Sequence, residues 1–140
     1  MKKVFLTSFL LLVIDQSTKI WVKTNMQLNS EFLIFDWFRI HFIENNGMAY
    51  GIELGGDYGK LFLTLFRIVV VVWGVFYVNK LIKEKEFPTA LLICFGLIIG
   101  GALGNIIDST FYGVIFNESA IFHGRVVDML YFPLTGESYF

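Results

Sequence analysis

The chain has 140 residues, of which 56% are hydrophobic and 18% aromatic, well above the roughly 45–50% apolar share of an ordinary soluble domain. That composition argues against a soluble fold, and the formal net charge of −1 argues against nucleic acid as a partner, since neutralising phosphates needs a clustered excess of Lys and Arg. The single cysteine, Cys94, lies in an apolar run, so an intrachain disulfide is excluded and a packing role is expected.

In chain order, Met1-Lys2-Lys3 followed by Val4 to Ile14 has the basic head and apolar stretch of a secretory signal peptide. No small-x-small cleavage site follows, and Asp15-Gln16-Ser17-Thr18-Lys19 leads straight into Ile20-Trp21-Val22, so the reading is an uncleaved first helix. A hydrocarbon core of about 30 Å needs roughly 20 helical residues, and three segments qualify: 4–22, 61–78 and 88–107. Lys2, Lys3, Lys80, Lys83 and Lys85 assign the N-terminus and the loop between the second and third spans to the cytoplasm. Residues 25–60 and 109–140 are then expected outside, which in a bacterium is the periplasm.

Within the first external segment, Phe38-Arg39-Ile40-His41-Phe42 alternates with the two-residue period of a half-buried strand. A small sheet is expected there, held against the membrane surface by Trp37 and nearby phenylalanines. Gly51, Gly55, Gly56 and Asp57 mark a loop before the second span. After Asp108 the apolar pattern is broken by Asn117, Glu118, His123, Arg125, Asp128, Pro133 and Glu137, so 112–140 reads as an external loop. The fold class is an all-α membrane protein, a transmembrane helix bundle with a small periplasmic β-sheet, forming a single domain over 1–140.

Ionisable groups at membrane depth cost at least ~2.5–3.5 kcal/mol each and usually find partners. Asp15 and Lys19 are one helical turn apart and can neutralise each other, either as a plain salt bridge or as part of a site. Gly96, Gly100 and Gly104 form a ridge that admits a close neighbour. Asn105 and Asp108, one turn apart beside it, can reach across that contact. Arg67, in the second span, is a counter-charge for one of these carboxylates. Glu44-Asn45-Asn46-Gly47-Met48-Ala49-Tyr50-Gly51 suits either a hairpin turn or a loop that grips a substrate chain by its backbone. Gly124 to Leu130 sets Asp128 in a short apolar stretch. It is either a solvated loop acid or, if buried, one whose protonated form is favoured, as in an acid–base pair. His41 and His123 have no Cys or His at ligand spacing, so no metal site is expected. Phosphate-binding glycine loops and Gly-x-Ser-x-Gly elbows are absent from the sequence.

These motifs, in this order, resemble the bacterial lipoprotein signal peptidases, also called signal peptidase II. Asp15 to Lys19 is similar to the family's Asp-x-x-Thr-Lys, and Asn45 to Tyr50 to its Asn-x-Gly-x-Ala-aromatic loop. Gly101-Ala102-Leu103-Gly104-Asn105-Ile106-Ile107-Asp108 resembles Gly-Ala-x-Gly-Asn-x-x-Asp, and Val126-Val127-Asp128-Met129 resembles the segment that supplies one of two catalytic aspartates. The resemblance implies an aspartic endopeptidase of the bacterial inner membrane. It would remove signal peptides by cutting before the diacylglyceryl-modified cysteine of prolipoproteins, on the periplasmic side, without metal or cofactor, as a monomer among membrane lipids. Asp128 would be catalytic, with Asp15, Lys19, Asn45, Gly47, Asn105 and Asp108 binding substrate or supporting the pocket.

Two departures stand out. Ser109 follows Asp108 where the family usually has Arg, so an ion pair that such an Arg would make is expected from elsewhere, from Arg67 or Arg125. The family's second catalytic aspartate opens a fourth helix in a Phe-Asn-x-Ala-Asp motif that the sequence does not reach. The expectation is therefore three of four helices, a glycine ridge deprived of a neighbour, and no turnover by the chain as written. The alternatives are a non-catalytic fragment or binding homologue, or a small transporter using its intramembrane acids as a relay.

Overall fold

In the computed structural model, which describes residues 1–46 and 56–133, polarity is arranged inside out. The helices turn Phe5, Phe9, Ile14, Phe62, Phe66 and Trp73 outward, while Ser8, Lys19, Thr64 and Asp108 are buried. Water cannot be the solvent of such a surface. Among the described residues three helices are long and apolar enough to cross a membrane, Lys2–Asn25, Tyr58–Glu84 and Thr89–Ile115, and the chain is a multi-pass membrane protein. Cys94 is exposed on this outer surface, so the packing role expected of it is not realised.

Helix α1 is Lys2–Asn25, α2 is Gly56–Glu84 and α3 is Thr89–Ile107. The glycine ridge of α3 is filled by α1, which corrects the expectation that its neighbour is missing. Gly96, Gly100 and Gly104 are all buried. A Cβ on Gly96 would lie 2.6 Å from Thr7 Cβ, and one on Gly100 would lie 2.9 Å from the Ser8 carbonyl oxygen. At Gly104 it would strike the Asp15 carboxylate. The approach is close enough for Ser8 Oγ to donate to the Gly96 carbonyl at 2.8 Å, the small-residue packing that replaces hydrophobic association in lipid.

Strands β1 (Glu31–Phe35), β2 (Phe38–Asn45) and β3 (Val126–Tyr131) form an antiparallel sheet in the order β1-β2-β3. The expected small sheet is present, but its third strand comes from the tail that reads as loop in the sequence. In that tail Val127 and Met129 are buried while Asp128 and Leu130 are exposed, a two-residue alternation masked by the run of apolar letters. β2 carries one extra residue between the pairs Ile40↔Leu130 and Ile43↔Asp128. His41 and Phe42 are consequently both buried instead of alternating, as a bulge permits.

Between α3 and β3 the helix widens into a π turn at Asp108–Tyr112, runs on through the short helix α4 (Gly113–Ile115), and then doubles back. Phe122 N–H donates to the Thr110 carbonyl at 3.0 Å and Gly124 N–H to the Ser109 carbonyl at 2.9 Å. Val22, Phe42, Tyr112, Val127 and Met129 make the core where helix, turn and sheet meet.

Ridge packing predicts opposite outcomes at adjacent glycines. Gly100→Val is expected to lower the thermal unfolding midpoint in detergent, the overpacking cost being roughly 1–3 kcal/mol. Gly101→Ala, with open space around its Cβ, is expected to be neutral or stabilising by up to about 1 kcal/mol.

Candidate active site

Lys19 lies three quarters of the way along α1 and is 3% exposed. An ammonium group has three N–H donors, and here three acceptors meet them: Asp108 Oδ2 at 2.7 Å, Asn105 Oδ1 at 2.9 Å and Asp15 Oδ2 at 3.2 Å. Asp108, fully buried, receives more. Gln16 Nε2 donates to its Oδ1 at 2.9 Å, and the Val127 backbone N–H donates to its Oδ2 at 3.2 Å. Gln16 also reaches Asp15 at 3.1 Å and the Gly104 carbonyl at 3.3 Å, and accepts from the Tyr112 hydroxyl at 3.1 Å.

Lys19 is therefore the cation of Asp108, a pairing that the sequence left open. Neither Arg67 nor Arg125 fills that role, because Lys19, on the facing helix and already at membrane depth, is within direct reach across the glycine contact. Arg125 pairs with Glu44 at 3.1 Å. Arg67 instead feels the charge of Asp128. It stands one turn beyond Thr64, whose hydroxyl donates to the Lys60 carbonyl at 2.9 Å and to the Phe122 carbonyl at 3.3 Å, bringing α2 against the segment that leads into β3.

Asp128 is exposed on β3, so the burial considered for it from sequence is not found among the described residues. Asn45 Nδ2 donates to Asp128 Oδ2 at 3.1 Å, across the diagonal between two strands. The structure thus joins Asp15, Lys19, Asn105 and Asp108 in one buried network and Asn45 with Asp128 in a second, exposed pair. Val127 connects the two, since its amide is held by Asp108 and its next neighbour is Asp128. Gly47 and the residues after it in the loop motif lie outside the described residues. Asn46, at the edge of that loop, accepts from Lys60 Nζ at 3.2 Å.

Sequence reading passed over Gln16, Tyr112, Lys23 and Glu44. Gln16, Lys19 and Lys23 fall at i, i+3 and i+7, one polar stripe on an apolar helix, and that spacing was the available signal. Glu44 lies outside the spans. Burial alone would raise its carboxyl, but hydrogen bonds and charge from Lys23 and Arg125 outweigh burial and hold it below its ordinary value of 4.5. Among the described residues no cluster of three His, Cys, Asp or Glu is placed to hold a metal ion. His41 sits in β2, and His123 Nδ1 lies 2.9 Å from the Ile121 carbonyl.

Two outcomes follow from these pairings. Lys19→Met leaves buried carboxylates without their cation and is expected to cost about 3–5 kcal/mol in unfolding experiments, part of which a Lys19→Met/Asp108→Leu double variant recovers. For Glu44, the unfolded chain takes up the proton at higher pH than the folded one. Its stabilisation is therefore complete above about pH 4.5 and is lost as pH falls through the lowered folded value. The melting-temperature gap between the native protein and Glu44→Gln should be widest at neutral pH and close in acid.

A family model described as signal peptidase (SPase) II matches residues 7–140. The chain is 52% identical to the lipoprotein signal peptidase of Porphyromonas gingivalis, over 89% of this chain and 61% of that protein. It is 41% identical to that of Amoebophilus asiaticus, over 91% and 58%. It thus spans about three fifths of the length of these curated relatives. A bacterial membrane enzyme solved at 1.9 Å resolution superimposes with a TM-score of 0.70 at 25% identity, covering 96% of this chain and 76% of that one. With residues from the four motifs brought into contact as two linked clusters and a family match over nearly its whole length, the chain belongs to the signal peptidase II family.

Proposed function

We propose that this chain carries one catalytic carboxylate of an aspartic peptidase that removes signal peptides from diacylglyceryl-modified prolipoproteins, cutting before the lipidated cysteine. The observation that carries the reading is Asp128: an exposed acid oriented by Asn45 and placed on a strand that a buried ion-paired network anchors to the membrane helices. Hydrolysis by paired carboxylates needs one acid to take a proton from water and another to protonate or hydrogen-bond the scissile carbonyl. Asp128 supplies one of these groups. Asp15 and Asp108 are engaged by Lys19 and serve as supports, not as its partner.

The support roles follow from the contacts. Lys19, Asp15, Asn105 and Asp108 set the height of β3 at the helix ends, and Asn45 fixes the direction of the Asp128 carboxylate. Gly47 belongs to the loop that would hold the substrate backbone. Lys2, Lys3, Lys80, Lys83 and Lys85 put the opposite ends of the helices in the cytoplasm of a bacterial inner membrane. The site then faces the periplasm, where a lipidated precursor arrives by lateral movement in the bilayer. The relay alternative is less well supported, because each intramembrane charge of the network is already paired within it.

A lipidated prolipoprotein and its unlipidated counterpart, incubated with detergent-purified protein in which this chain is joined to the part of the Porphyromonas gingivalis relative that it does not span, so that a second carboxylate is supplied, test the assignment. Cleavage of the lipidated form alone is expected, reduced by about a hundredfold or more in Asp128→Asn, the scale of a lost acid–base group. Undiminished cleavage by that variant rejects Asp128 as catalytic, and binding without cleavage favours the non-catalytic homologue.

A further inference from the structure

Lys23 stands one turn beyond Lys19 on the same face of α1 and lies outside the four motifs. Its ammonium pairs with Glu44 of β2 and with both carboxylate oxygens of Glu118, at 2.8 and 3.0 Å. It also sits 4.9 Å from the centroid of the Phe116 ring, a cation–π contact. The other oxygen of Glu44 accepts from Arg125 Nη1 at 3.1 Å. The side chains of Lys23 and Glu44 are 4% and 9% exposed, so this pair is shielded, unlike an ordinary surface pair that contributes little.

The placement of this cluster matters more than its strength. Glu44 immediately precedes Asn45, and it pairs across the sheet with Val127, the residue before Asp128. Arg125 immediately precedes Val126, the residue opposite Asn45. One ion-paired unit therefore grips both strands next to the Asn45–Asp128 hydrogen bond and fastens them to α1. β3 needs such fastening, since among the described residues it lies at the sheet's edge and pairs with β2 alone. Besides the core packing of Val127 and Met129, its other polar tie is the Val127 amide on Asp108, which Lys19 holds.

We propose that Lys23 and Glu44 are positioning residues for Asp128. Two lysines one helical turn apart hold β3 to the membrane helix at two points, and two points fix the tilt of the strand where one would leave it free to pivot. This rests on the peptidase reading above. Buried ion pairs are weak contributors to net stability yet can select one geometry, and a displacement of about 1 Å at a reacting group can cost on the order of a hundredfold in rate.

The experiment combines hydrogen exchange on the full chain in detergent with kinetics on that chain joined to the unspanned part of the relative, using Glu44→Gln, Lys23→Met and Lys23→Arg, with exchange in α1 and α3 as the check that each variant is folded. In Glu44→Gln and Lys23→Met, amides of residues 126–131 are expected to exchange at least about tenfold faster, since protection reports local opening. With the lipidated prolipoprotein, kcat should fall by about tenfold to a hundredfold while KM stays within about twofold. Lys23→Arg, which keeps the charge and the pairing, should restore both. Unchanged exchange across β3 in folded variants overturns the proposal, as does faster exchange with unchanged kcat. Absence of cleavage by the joined protein without substitutions would instead defeat the peptidase reading, and the exchange of β3 would then decide the anchoring by itself.

Discussion

A lysine ammonium buried at membrane depth must find an acceptor for each of its protons, because no water is there to take them. Lys19 meets this demand with Asp15 on its own helix and with Asn105 and Asp108 on the facing one. Those distances are possible only if the two helix axes come close. The close approach in turn requires that Gly96, Gly100 and Gly104 carry no side chain, since a Cβ at each would collide with α1. The charge and the glycine ridge are two halves of one constraint.

Asp108 passes that constraint on to the sheet. The widening of the helix at Asp108–Tyr112 leaves Asp108, Ser109, Thr110 and Tyr112 all buried, more inward-facing residues than a regular helical turn provides, as π-helical insertions allow. One consequence is that a single carboxylate faces Lys19, Gln16 and the Val127 amide together. Another is that the returning chain packs tightly on the turn, with Gly124 so close to the Asp108 carbonyl and the Gly113 amide that a Cβ would not fit. β3 is thereby delivered beside β2 in the register that sets Asp128 diagonal to Asn45.

The sheet separates two kinds of work. Glu44 and Val127 point to the interior, where ion pairing and apolar packing secure the strands. Asn45 and Asp128 meet in an exposed hydrogen bond. The bulge in β2 makes this possible: without the extra residue at His41 and Phe42, the alternation would carry Asn45 to the opposite side and break its contact with Asp128. Membrane helices supply the rigidity, and a short strand carries the acid.

Much of this was legible in the sequence. Composition, helix-length apolar runs and the glycines at intervals of four specify lipid-facing helices with one tight contact, because those signals are local and follow directly from bilayer thickness and helical period. Motif order pointed to the family and singled out Asp15, Lys19, Asn45, Asn105, Asp108 and Asp128. Pairing was not legible. Which cation meets which carboxylate depends on how two helices cross and how a chain doubles back, and three lysine protons, one π turn and one strand bulge decided it. Lys23 and Glu44 were invisible for the same reason: a Lys at a helix end and a Glu in a polar loop look solvated until tertiary folding buries them against each other. The strand around Asp128 was hidden because its alternation reads as a plain apolar run, and only pairing with β2 showed which of its side chains face in.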